Sequence, residues 1–190
     1  MRWSFWVVLA LVKFSLGQDD LVNLEGRSKA CDVLIAIDQT LWEHHDRNMT
    51  VLVNLAKDHV EGLNRIYSQQ VFIDEFDDYY FHLKRVQLAF GICESHLFEE
   101  NYEKNCTEQR QVYLNAFDEH SPTGFCLSYI LTFLDFHNGT AGLASVNTVC
   151  RRTQNSGFVT LLNNNVERDL QESVITFAHE VSDLKKTCIK

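Results

Sequence analysis

The segment Cys31-Asp32-Val33-Leu34-Ile35-Ala36-Ile37-Asp38 limits the possible folds more than any other stretch of the chain. A strand that alternates apolar and polar residues hides one face. A run that is apolar at nearly every position needs cover on both faces, as the inner strands of a parallel sheet have. Such a strand calls for helices above and below the sheet.

The residues that follow supply them. Leu52, Leu55, Ala56, Val60, Leu63, Ile66 and Tyr67 recur at three- and four-residue spacing, which predicts an amphipathic helix over 50–67. Beyond it, Phe81 and Leu83, then Val86, Leu88 and Phe90, alternate in two registers that break at Arg85. This break predicts a strand with a bulge or an edge position. Residues 93–106 read as a surface loop. A second helix is expected from 107 or 108 to 119, with Val112, Ala116 and Phe117 inward and Ser121-Pro122-Thr123-Gly124 ending it. Strands are expected over 125–133, 141–146 (a short edge strand) and 157–162. A last helix over 166–181 carries Leu170, Val174, Phe177, Ala178 and Val181 on one side. Strands alternating with helices give an α/β fold, a mostly parallel twisted sheet with flanking helices. No linker or repeat divides it, and 190 residues suit one domain.

The ends and the charge suggest an address. Residues 1–18 have a charged Arg2, the apolar run Trp6 to Val12 and small residues at Ser15 and Gly17, the pattern of a signal peptide. Residues 19–28 are a short polar lead-in to a domain over 29–190. No other stretch reaches the ~20 apolar residues of a membrane span. Past the leader, 26 acidic residues face fifteen basic ones. That balance argues against nucleic acid and anionic membranes as partners. Asn48-Met49-Thr50, Asn105-Cys106-Thr107 and Asn138-Gly139-Thr140 are glycosylation sequons. Cys31, Cys93, Cys106, Cys126, Cys150 and Cys188 all follow the leader. Their scattered spacing suits disulfides rather than a metal knuckle, with connectivity open. A secreted protein is the expectation.

Chemistry concentrates in Thr176-Phe177-Ala178-His179-Glu180-Val181. In zinc hydrolases His-Glu opens H-E-x-x-H, where two histidines one turn apart bind the metal and the glutamate is the general base. Here Asp183 stands where the second histidine would, so His179 and Asp183 offer at most a half-site, against the three protein ligands of a catalytic zinc. Other candidates are weaker. His44 and His45 are adjacent and diverge by about 100° on a helix, so they read as a solvated helix start. Asp77-Asp78 and Glu99-Glu100 lack calcium-loop spacing. Ser128 and Ser145 lack a nucleophile-elbow context. Asp32 to Thr40 is similar to the first strand of a von Willebrand A-type module, but Leu41-Trp42 occupies the place of its second hydroxyl.

Several segments together resemble the metzincin proteases of the adamalysin/ADAM type, in their kuzbanian-like branch. These are Cys31 to Asp38, the helix ending Asn64-Arg65-Ile66-Tyr67, Cys126-Leu127-Ser128-Tyr129 with Thr132 to Phe136, Gly139 to Ala144, and Thr176 to Val181. The likeness covers about 29–181. It implies a metzincin-like upper subdomain and a zinc metalloendopeptidase that cuts protein ectodomains. His179 would be a zinc ligand and Glu180 the base, and substrate would lie along the edge strand at Gly142, Leu143 and Ala144.

The departures shape the functional expectation. The family has a long prodomain before the catalytic domain, and after its second zinc histidine a glycine turn, a third histidine and a methionine turn. Here Val181-Ser182-Asp183-Leu184 follows His-Glu, and 182–190 reads as an aberrant tail, such as intron read-through, on a domain whose lower subdomain is missing. The expectation is an inactive relative: a secreted, non-catalytic module that binds a protein or peptide, or the product of an incomplete transcript.

Overall fold

The computed structural model describes residues 29–68, 79–92, 110–136, 139–144, 155–164 and 166–185, with the backbone alone for residues 29, 79, 120 and 182–185. Strand β1 (Lys29–Asp38) runs through the middle of a five-stranded sheet. It is parallel to β2 (Tyr79–Ala89) on one side and to β3 (Leu127–Thr132) on the other. β5 (Ser156–Thr160) continues the parallel set beside β3, and β4 (Gly142–Ala144) lies antiparallel to β5 at the edge. The order is therefore β2-β1-β3-β5-β4.

The apolar run of β1 is explained by this position. Cys31, Val33, Ile35 and Ile37 pack with helix α2 (Met49–Ser68) and helix α4 (Leu170–Lys185). Ala36, with Ile130 of β3 and Phe158 of β5, faces the opposite layer, where α3 (Arg110–His120) presents Tyr113, Leu114 and Phe117. Each fully buried leucine, isoleucine or phenylalanine side chain adds about 2 kcal/mol relative to exposure, so both layers must be present to hold β1. β2 has both of its expected features. It is the other edge strand, and its register against β1 shifts between Val33 and Leu34, so that Lys84 is the extra residue. The exposed Lys84 amine lies 3.6 Å from Asp32.

Several boundaries move. The last helix begins at Leu170 rather than at 166, because Val166–Glu167 (β7) pairs with Leu162–Asn163 (β6) in a small antiparallel hairpin. Asp169 then accepts from the Glu172 amide at 2.8 Å, capping the helix start. The inward arc of α3 is Tyr113, Leu114 and Phe117, so Val112 and Ala116 are its flanks. The short helix α1 (Gln39–His44) was not expected; the Asp38 carboxylate caps it by accepting from the Leu41 amide at 2.9 Å. His44 and His45 consequently lie at a helix end, not a helix start. The His44 ring stacks on Phe133 with centroids 3.7 Å apart. The loop expected over 93–106 lies outside the described residues.

Cys31 and Cys126 form a disulfide, with Cα atoms 5.2 Å apart. The bond ties β1 to the entry of β3 across a sequence separation of 95. In the chain-entropy account, a loop of that size stabilises by about 4–5 kcal/mol. Cys93, Cys106, Cys150 and Cys188 lie outside the described residues.

Candidate functional site

Helix α4 carries His179 and Glu180, and its inner arc is anchored at every turn. Ser173, Val174, Phe177, Ala178 and Val181 are buried. Phe177 meets Tyr129 of β3 with ring centroids 4.5 Å apart. The Tyr67 hydroxyl of α2 donates to the Ala178 carbonyl at 2.9 Å. Val174 sits so close to Gly62 that a Cβ there would lie 2.5 Å from a Val174 methyl, so α2 needs glycine at the crossing.

A histidine that sequence reading passed over completes this anchoring. His59 has no exposed surface. Its Nδ1 lies 2.8 Å from the Leu55 carbonyl and its Nε2 lies 2.9 Å from the Ser173 hydroxyl on α4. Burial lowers its pKa to about 4, so the ring is neutral at pH 7. The neutral ring donates from Nδ1 and accepts from Ser173. The available signal was position: His59 lies between Ala56 and Val60 on the inward arc of α2.

The opposite side of α4 differs. His179 and Ile175 are exposed. Both open onto a groove of about 910 Å³ between α2 and α4, which Arg65, Ile66, Leu170 and Val174 also line. Glu180, half-buried, turns towards β4 instead: a Cβ on Gly142 would lie 3.2 Å from Glu180 Cγ, 2.9 Å from the Thr176 methyl and 3.0 Å from the Phe158 carbonyl. The edge strand thus rests on the helix at a position where a side chain has no room. The fold brings Gly142 next to Glu180, with Leu143 half-buried and Ala144 buried beyond it.

The same corner contains Arg168, also missed in sequence. Its side chain is only 10% exposed. It donates to the carbonyls of Thr160 (3.0 Å), Ala141 (3.4 Å) and Glu172 (2.8 Å), and to the Thr176 hydroxyl (2.5 Å). Burial lowers its pKa, which the carboxylates of Glu172 and Asp169 partly offset.

The backbone of α4 is helical through Lys185, so position 183 lies one turn beyond His179. That position is Asp183. Among the described residues no three His, Cys, Asp or Glu side chains gather as a metal cluster. Among the described residues the donors do not make up a catalytic zinc set. Asp38, at the end of β1, is almost fully buried and accepts from Thr40, the Leu41 amide, Tyr113 and Thr132. Burial raises its pKa despite these donors. The group closes on itself and ties β1, α1, α3 and β3 together. Ser128 is buried within β3. Asn48 is exposed, and its Oδ1 caps α2 by accepting from the amides of Thr50 and Val51 at 3.1 and 3.3 Å. Asn105 and Asn138 lie outside the described residues.

Comparison with known proteins matches residues 27–182 to metallo-peptidase family M12. Similar curated proteins include a disintegrin and metalloproteinase domain-containing protein 10 homolog of Caenorhabditis elegans, 28% identical over 188 residues that cover 80% of this chain and 20% of that protein. The Xenopus laevis disintegrin and metalloproteinase domain-containing protein 10 is 24% identical over 83% of this chain and 23% of its own length. The human protein of that name is 24% identical over 80% and 22%. The chain spans about a fifth of the length of these relatives.

Proposed function

Because the chain belongs to metallo-peptidase family M12, as a metalloprotease domain of the ADAM type, we propose that it docks an extended protein segment along β4 and does not cleave it. One observation carries the reading. β4 is a short antiparallel strand at the edge of an otherwise parallel sheet, seated directly on the helix that holds His179 and Glu180. An edge strand offers backbone donors and acceptors to an extended peptide, and neighbouring pockets read its alternate side chains.

The absence of cleavage follows from position 183. With Asp183 in place of a second histidine, His179 has one weak helical co-ligand and zinc binding loses most of its free energy, which for a full structural set is about 10–16 kcal/mol. Glu180 as a base needs a metal-bound water to act on. Zinc content and peptidase activity, measured together on purified protein, test this. The expected result is far less than one zinc per chain and no cleavage of an unfolded protein substrate. Near-stoichiometric zinc that is lost in His179→Ala would overturn the non-catalytic reading.

The remaining expectations stay with this proposal. Residues 1–18 would direct secretion, 29–181 would be the family-like unit, and Asn48, Asn105 and Asn138 would carry glycans. No helix among the described residues is long and apolar enough to cross a membrane. Expression in a secretory cell line checks the address: protein in the medium should lose mass on treatment with an N-glycosidase. A single unglycosylated species retained inside the cell would contradict it.

A further inference from the structure

We infer that Arg168 is a positioning residue that sets the seat of the edge strand β4 on helix α4; the inference rests on the reading of β4 as a peptide-docking strand. Three elements meet at this side chain. Ala141, the residue before β4, has a carbonyl that accepts both from Arg168 and from the Thr160 amide at 3.0 Å. Thr160 ends β5, and its own carbonyl takes a second Arg168 bond. On α4, the other end of the fork holds the Glu172 carbonyl and the Thr176 hydroxyl. The Arg168 amide donates to the Leu161 carbonyl at 2.8 Å, which fixes the stem as well as the head.

Thr176 carries the effect across. With its hydroxyl held by Arg168, its methyl points at Gly142, where a Cβ would lie 2.9 Å away. Glu180, one turn further along α4, borders the same point. The Thr176 hydroxyl also donates to the Glu172 carbonyl at 3.1 Å, so Arg168 and that carbonyl hold its rotamer together, and Arg168 alone links it to Ala141 and Thr160 and thereby sets the spacing between β4 and Glu180. A planar fork with several donors suits this task, because it holds acceptors on three elements in one fixed geometry. Lysine, a point charge on a flexible stem, would not reproduce it. On the far side of β4, Arg110 of α3 donates to Thr140 at 2.8 Å, so Arg168 has the inner half of the task.

The test compares Arg168→Ala, Arg168→Lys and Thr176→Val with the unaltered chain. Amide hydrogen exchange is read residue by residue, and binding of a fluorescein-labelled octapeptide of alternating leucine and threonine is read by anisotropy. In Arg168→Ala, exchange at 142–144 should rise by about tenfold or more, with β1 and β3 unchanged. Peptide affinity should fall by about fivefold or more. Arg168→Lys should recover only part of both. Thr176→Val, which keeps the shape and removes the acceptor, should move both in the same direction by less. Unchanged protection of β4 in Arg168→Ala, or a rise shared equally by β1 and β3, overturns the inference. If Arg168→Ala does not fold, unchanged β4 protection in Thr176→Val overturns it. A chain that binds no octapeptide yet loses β4 protection in Arg168→Ala refutes the docking reading and leaves the positioning role standing. Where the unaltered chain does bind the octapeptide, equal affinity in Arg168→Ala refutes the positioning role itself.

Discussion

The two sides of helix α4 are built to different standards. The inner side buries Ser173, Phe177, Ala178 and Val181 and is bonded to α2 through His59 and Tyr67. The outer side presents Ile175 and His179 to an open groove. The helix is therefore anchored through its inner residues, while His179 lies on the exposed side and Glu180, half-buried, borders Gly142 of β4.

This contrast is easiest to break by emptying the inner side. Phe177→Ala should destabilise by about 3–5 kcal/mol, since it removes a fully buried ring packed on Tyr129. Denaturant unfolding measures it; a loss below about 1 kcal/mol would mean that the inner side is not the anchor.

Acid should loosen the same side by a slightly smaller amount. His59 has a folded pKa of about 4, below the ordinary 6.5, so the folded state takes up its proton later than the unfolded chain does. Its contribution is fully present above pH 6.5 and is lost as pH falls from there towards 4, on the order of 3 kcal/mol in all. Asp38 acts in the opposite sense. Its raised pKa favours the fold most at low pH, so it does not produce this loss. Urea midpoints at pH 7 and pH 5, for the unaltered chain and His59→Gln, separate the two groups. An equal drop in both proteins would clear His59 of the effect.

The smallest effect belongs to the outer side. His179→Ala should destabilise by about 1 kcal/mol or less, because it removes an exposed side chain and leaves no core cavity. A loss comparable to that of Phe177→Ala, measured by the same unfolding curves, would erase the distinction between the two sides.

Much of the fold was legible because periodicity is a local record of burial. The unbroken run of β1 demanded two covers and has them in α2/α4 and α3. The register break near Arg85 marked both a bulge and an edge. Where reading by apolar periodicity went astray, a polar residue or a non-local partner was responsible. His59 and Tyr113 were passed over because their types suggest the surface, yet each finds a hydrogen-bond partner inside. The start of α4 was misplaced because Val166 and Glu167 continue a helical pattern but pair with Leu162 and Asn163.

The sequence by itself determined the α/β class, the order of the principal elements and the family, since each is written in contiguous residues: the β1 run, the α2 stripe, and Thr176 to Val181. Only the tertiary structure decided that Cys31 pairs with Cys126, that Gly142 rests against Glu180, and that Arg168 reaches three elements at once. Those are meetings between residues far apart in the chain. Their geometry follows from how the strands order and the helices cross, which no local spacing encodes.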